Sequence, residues 1–287
     1  MEFVAPRSWA DALAARAEHP GCTPIAGGTD VMVELNFDRH RPDVLLDLTK
    51  VPELREWSRT DDGGVRLGAG VTYLRVMTEL GGLAPGLAMA SRTVGSPQIR
   101  ARGTVGGNVG SASPAGDCHP VLLAVGATVE VGSAARGTRS IPVADFFTGV
   151  KKSALEPDEL IAAIRLPPAA GPQQFAKVGT RNAMVIAVTS FGLALHPDRR
   201  GVGAAIGSAA PTPRHASAAE DFAAGALDWD GRGELTDEVA AEFGRLVGEA
   251  ASPIDDVRGT AGYRRHALSV LGRRALSWAW SDHRRAP

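Results

Sequence analysis

The chain reads as an α+β protein of two unequal parts. Three observations predict this. Glycine is abundant, 34 of 287 residues, while only 5% of residues are aromatic, a composition suited to short elements joined by many tight turns. Up to Leu166, short apolar runs of strand length are interleaved with helical patterns, whereas the last third places three strand patterns before three helical ones. Between them, Pro167 to Pro172 is rich in proline, alanine and glycine, the composition of a boundary.

The elements follow in order. Ser8-Trp9-Ala10-Asp11 carries a helix-capping signal, and Leu13 among small alanines continues a short helix. Thr23 to Ala26 reads as a strand running into the turn Gly27-Gly28-Thr29-Asp30, after which Val31 to Leu35 opens a helix. Val44 to Leu48 has the length of a buried strand, and Val65 to Ala69 alternates as a half-buried one. Thr72–Leu80 and Leu87–Arg92 are helical patterns. Val94 to Asp117, dense in glycine and small polar residues, reads as a loop. His119 to Val125 is a short helix, with Pro120 tolerated in its first turn. Thr128–Val131 and Leu160–Leu166 are strands, the latter stopped by Pro167-Pro168. The second part holds strands at Gln174–Val178, Ile186–Leu195 and Val202–Ile206, then helices at Ala216–Ala224, Leu235–Ala250 and Tyr263–Trp280. The arginines at the end of the last helix read as a solvated face.

Composition excludes several classes of function. A formal net charge of −1 gives no field to recruit nucleic acid or an anionic membrane. The first thirty residues lack the apolar run of a signal peptide, and no stretch of roughly 18 apolar residues could insert in a bilayer; the cytoplasm is the expected location. Cys22 and Cys118 are the two cysteines, too few for an iron–sulfur cluster, which takes four ligands. The histidines show no metal-ligand spacing, so any redox chemistry falls to an organic cofactor.

Two glycine turns carry the chemistry: Ala26 to Asp30, and Thr104-Val105-Gly106-Gly107-Asn108 continuing to Asp117. A dinucleotide presents a diphosphate that needs donors at close range. Consecutive glycines remove the Cβ obstacle and admit positive φ, so successive amides can converge on one anion. Thr29, Thr104, Ser111 and Ser113 add hydroxyls without bulk, Asn108 both donates and accepts, and Asp117 suits sugar hydroxyls. The same residues also admit plainer accounts: a tight turn for Gly-Gly-Thr, left-handed backbone for Asn108, a helix cap for Asp117. Neither turn fits the Rossmann or P-loop pattern, and the residues alone define an anion or nucleotide site.

AGGTD at 26–30, VGSPQIRARGTVGGNVGSASPAGD at 94–117, IPVADFFTG at 141–149, FAKVGTR at 175–181, APTPRHA at 210–216 and GYRRHALSVLGRRAL at 262–276 resemble the flavoprotein subunits of the molybdenum hydroxylases. That family includes the medium subunit of carbon monoxide dehydrogenase and the FAD domain of xanthine dehydrogenase. The resemblance implies a FAD-binding fold of the vanillyl-alcohol-oxidase (PCMH) type, with two α+β subdomains at about 1–52 and 53–168. A smaller C-terminal α+β domain, 172–287, would add a three-stranded sheet and helices.

By the same resemblance, Ile25, Ala26, Gly27, Gly28, Thr29 and Asp30, with Thr104, Val105, Gly106, Gly107 and Asn108, wrap the diphosphate of FAD. Ser111, Ser113 and Asp117 follow the ribityl and sugar hydroxyls, Val94 and Leu160 approach the rings, and Lys177 lies near the flavin. Lys177 could also be an exposed strand lysine. Val185 and Ile186 could cover the flavin or belong to a core strand, and Cys118 and His119 could touch the cofactor or be local variation. The implied partners are a large molybdopterin subunit and a small subunit with 2Fe–2S clusters, with NAD, oxygen, a quinone or another carrier accepting electrons. Two other functions remain open at this level: a self-standing flavoenzyme acting directly on a small molecule, and a scaffold protein that has lost the cofactor.

Overall fold

The computed structural model describes residues Met1 to Ala286. At the N-terminus, β1 (Glu2–Val4), β2 (Thr23–Ile25) and β3 (Val44–Asp47) form a parallel sheet in the order β1-β3-β2. Parallel neighbours need long connections, which α1 (Trp9–Glu18) and α2 (Val31–Asn36) supply. Ser8 caps α1 by accepting from the Asp11 amide at 3.1 Å, as its sequence predicts.

A second, antiparallel sheet follows. Its strands are β4 (Trp57–Arg59), β5 (Val65–Gly68), β6 (Thr128–Ser133), β7 (Gly137–Pro142) and β10 (Leu160–Leu166), in the order β4-β5-β10-β6-β7. The small hairpin β8 (Phe147–Gly149) and β9 (Lys152–Ser153) precedes β10. The central strand β10 is buried on both faces, as its uninterrupted apolar run requires, and its register with β6 shifts between Ile161 and Ala163. Helices α3 (Tyr73–Glu79), α4 (Pro85–Thr93), α5 (Pro97–Arg102), α6 (Val105–Ser111), α7 (His119–Ala124) and α8 (Val143–Phe146) complete this part.

The stretch 94–117 is thus not the loop expected from its glycines. Ser96 and Thr104 each cap a helix, accepting from the amides of Ile99 and Gly107, and Pro97 takes the first position of α5. Val105 and Val109, four apart, bury one face of α6. Capping and burial outweigh a glycine penalty of roughly 1 kcal/mol per residue.

The second part is an antiparallel sheet of β11 (Gln173–Val178), β12 (Thr189–His196), β13 (Gly201–Gly207) and β14 (Arg214–His215), covered by α9 (Ser217–Ala226), α10 (Asp237–Glu249) and α11 (Ala261–Arg285). The three expected strands are present, and the sheet has a fourth. β14 is two residues long, too short for any periodicity to announce it. β12 starts at Thr189 and not at Ile186, because residues 181–186 leave the sheet. Trp280 is fully buried in the helical layer and donates its indole N–H to the Gly233 carbonyl at 2.8 Å.

The two parts meet through α7. His196 of β12 bonds the Ala124 carbonyl at 3.2 Å, and the buried Gln173 side chain accepts from the Gly86 amide at 3.0 Å. Arg264 of α11 is buried and donates to the carbonyls of Val188 and Ser208 and to Asp256, so it pins the start of β12. The other arginines toward the end of α11 are solvated, as expected.

Candidate functional site

The chain leaves β2 at Ile25, whose carbonyl accepts from the Leu48 amide at 2.9 Å, and turns through Ala26 to Asp30 into α2. Gly27 lies directly against Arg102 and Gly103, the residues that lead into the second glycine segment: a methyl group there would overlap the Arg102 carbonyl and the Gly103 Cα. Gly28 turns with φ +74°, a conformation a side chain would strain. The first turn therefore packs against the entry to the second segment, although the two are more than seventy residues apart in sequence. Among the described residues, the amides of Gly27, Gly28, Thr29 and Asp30 donate to no group of the chain. Four consecutive amides without an acceptor in the chain, on residues that line a cleft, suit an anion.

The second segment works differently from its sequence expectation. Its amides are already used: Val105 donates to Val71 and Gly106 to Ala69, both at 3.2 Å, Gly107 to the Thr104 hydroxyl at 2.9 Å and Asn108 to the Thr104 carbonyl at 3.0 Å. A methyl on Gly106 would overlap Ala69, so this glycine allows close packing of α6 on the chain after β5. What the segment offers to a ligand is side chains. Asn108 Oδ1 is buried with no partner, and Ser111 and Ser113 stand on the same wall. Asn108 is helical and not left-handed, and Asp117 does not cap α7, so neither plainer account of them holds.

Between these segments runs a cleft of about 1120 Å³, above the roughly 300–1,000 Å³ typical of small-ligand sites. Ala26, Gly27, Gly28, Thr29, Asp30, Val94, Thr104, Gly106, Gly107, Asn108, Ser111, Ser113, Asp117 and Leu160 all line it. Three expected residues do not. Val105 faces the core with no exposure, and Ile25 packs toward Gly28. Lys177 is neither at the cleft wall nor exposed: its ammonium donates to Asp117 Oδ2 at 2.6 Å and to the Thr93 carbonyl at 3.1 Å. Thr93 also donates to Asp117 Oδ2, at 3.2 Å, which leaves Asp117 Oδ1 buried and without a partner. Burial raises the Asp117 pKa above its usual value, and Lys177 and Thr93 offset this only in part.

Met184, Val185 and Ile186 overhang the cleft, with Met184 and Ile186 about half exposed, so they form an aliphatic rim and not a core strand. Arg181 holds this rim by donating to the carbonyls of Ala183 and Met184. Cys118 and His119 are buried behind the cleft wall and do not line it: the His119 ring lies against Gly116, and its Nε2 bonds the Asn108 carbonyl at 3.0 Å. Burial pushes the Cys118 thiol well above its usual range and His119 down to about 4, and the His119 ring packs on Phe147 at 4.4 Å. Tyr73 is a wall residue that the sequence does not reveal, since it looks like any apolar position of an amphipathic helix. Its ring is 3% exposed against Gly103, and its hydroxyl makes no hydrogen bond within the described residues.

Free amides, orphaned acceptors and an aliphatic rim line one large cleft. Comparisons with known proteins give the family. The model of the FAD binding domain in molybdopterin dehydrogenase matches residues 1–169, and that of the CO dehydrogenase flavoprotein C-terminal domain matches residues 174–279. The nicotinate dehydrogenase FAD-subunit of Eubacterium barkeri is 34% identical over 79% of this chain and 80% of its own length. The putative xanthine dehydrogenase FAD-binding subunit of Escherichia coli (strain K12) is 30% identical over 94% and 92%. Among solved structures, carbon monoxide dehydrogenase from Hydrogenophaga pseudoflava superposes with a TM-score of 0.90 at 26% identity, covering 99% of this chain and 98% of that one. The chain belongs to the FAD-binding flavoprotein subunits of the molybdopterin dehydrogenases. It is an oxidoreductase subunit, and its cofactor is FAD.

Proposed function

We propose that this chain holds FAD in the cleft between its two glycine segments and passes electrons from a partner's iron–sulfur clusters to an external acceptor. The observation that carries the reading is the pairing of four free amides, Gly27 to Asp30, with the orphaned Asn108 Oδ1 and Asp117 Oδ1 across one cleft. Bound FAD supplies the redox chemistry, and among the described residues no nucleophile–base pair lines the cleft. The chain's residues bind and orient. The Gly27–Asp30 amides suit a diphosphate, Asn108 and Asp117 accept from hydroxyls, and Val94, Leu160 and the Met184–Ile186 rim exclude water from the ring.

Two cysteines cannot hold the clusters that would deliver electrons, so the chain works in a heteromeric complex with a large molybdopterin subunit and a small 2Fe–2S subunit. The relatives named as FAD subunits support this. We place the division between FAD-binding and C-terminal domains at 168–172, with FAD-binding subdomains at about 1–52 and 53–168; the family models end at 169 and begin again at 174. Among the described residues no helix is long and apolar enough to cross a membrane. The two buried, unpaired thiols suit a reducing compartment, and we assign the protein to the cytoplasm.

Affinity purification of the chain from its native host, with metal analysis, tests the complex. Recovery of molybdenum and iron with two further subunits is expected. Isolation alone, with flavin reduced directly by a small organic donor, would instead make it a self-standing flavoenzyme.

A further inference from the structure

We infer that Lys177 is a positioning residue for the cofactor, acting through Asp117 and not by touching the ligand. The inference rests on the reading of the cleft as the FAD site. Lys177 belongs to β11 of the second part, and Asp117 to the loop before α7 of the first. The ammonium and the Thr93 hydroxyl both occupy Oδ2, at 2.6 and 3.2 Å, and the ammonium is further held by the Thr93 carbonyl. Oδ1 is thereby left as the one free acceptor of a buried carboxylate on the cleft wall.

A carboxylate buried without a cation takes up a proton. The other titratable groups against this one are Tyr73 of α3 and Cys118, next in the chain. Burial raises both, so each is neutral at ordinary pH and neither supplies positive charge. Lys177 is the cation bonded to Asp117. It keeps the carboxylate ionised, so that Oδ1 presents a full acceptor to a ligand hydroxyl, and it fixes the direction in which that oxygen points. The salt bridge also ties β11 to the first part of the chain, so the C-terminal domain takes part in shaping the wall.

The test uses the full chain stripped of flavin and titrated with FAD from pH 6 to 9. Native protein is compared with Lys177→Met, Lys177→Arg, Asp117→Asn and the double variant Lys177→Met/Asp117→Asn, all checked for folding by circular dichroism. A charge-assisted hydrogen bond sets the scale, so Lys177→Met and Asp117→Asn should each weaken FAD binding about ten- to a hundredfold at pH 7. The double variant should bind like Asp117→Asn alone, because both changes remove one interaction. Lys177→Met should regain affinity toward pH 9 as Asp117 ionises, a rise absent from native protein and Asp117→Asn, and Lys177→Arg should restore most of the binding.

Additive losses in the double variant, or native affinity in Lys177→Met, would overturn the inference. Should Lys177→Met fail to fold, the double variant, free of both buried charges, decides alone. Binding equal to Asp117→Asn supports positioning, and markedly weaker binding refutes it. A native chain that takes up no FAD would instead remove the site reading itself.

Discussion

Adding one methyl group at Gly27 should push the first turn off the entry to the second glycine segment and weaken cofactor binding. The Cβ of Gly27→Ala would overlap the carbonyl of Arg102 and the Cα of Gly103, which are backbone atoms that cannot rotate aside. Overpacking of this kind costs roughly 1–3 kcal/mol, and a chain of this size loses about 2–4 °C of Tm per kcal/mol. Relief requires the Ala26–Asp30 turn to shift, which misaligns its free amides. Losing two amide bonds to a charged diphosphate, each worth about 1.5–3 kcal/mol, weakens FAD by at least a hundredfold. Gly262→Ala is the control, because nothing lies within 4 Å of its added methyl and it sits in the first turn of α11, where alanine adds up to about 1 kcal/mol of helix propensity. Thermal unfolding of the flavin-free chain and FAD titration by fluorescence read both quantities. If Gly27→Ala unfolds at the native temperature and binds FAD with native affinity, the contact of the first turn with Arg102 and Gly103 is irrelevant to binding and the reasoning fails.

Three further outcomes are expected. Tyr73→Phe should leave Tm within about 1–2 °C and weaken FAD several-fold in the same titration, since the hydroxyl makes no hydrogen bond among the described residues and Tyr73 lines the cleft. Arg264→Met should lower stability by about 1–3 kcal/mol in denaturant unfolding, because it strips the Val188 and Ser208 carbonyls of their donor, while the partly exposed Asp256 keeps its pair with Arg258. His119, neutral and buried with a pKa near 4 against 6.5 unfolded, contributes stability that is complete above pH 6.5 and lost as pH falls toward 4. That loss is on the order of 3 kcal/mol, and His119→Phe should flatten the acid limb of a stability profile measured over that window.

The fold was largely legible because its signals are local. Ser8 at the cap of α1, the apolar run of β10 and the Pro167-Pro168 stop each act within a few residues. Where reading failed, the deciding contacts are distant or the element too short. The α5 and α6 helices look like loop because glycine dominates them, yet Ser96, Thr104 and the buried Val105–Val109 face hold them. β14 spans two residues and has no pattern of its own. At the site, the glycine segments advertised themselves by composition, but which of them keeps free amides depends on Ala69 and Val71, acceptors more than thirty residues upstream of Val105 and Gly106. Lys177 reads as a strand residue of either fate, and only the folded chain brings Asp117, sixty residues away, against its ammonium.

The central claim is that one chain holds one FAD between the Ala26–Asp30 turn and the Asn108–Asp117 wall. Its most direct measurement is a stoichiometric titration of the flavin-free full chain with FAD, followed by diffusion, denaturation and quantification of the released flavin. The account predicts saturation at one FAD per chain and a yellow protein, with affinity at least a hundredfold weaker in Gly27→Ala. A protein that stays colourless at saturating FAD, or binds it equally well without an intact first turn, would contradict it.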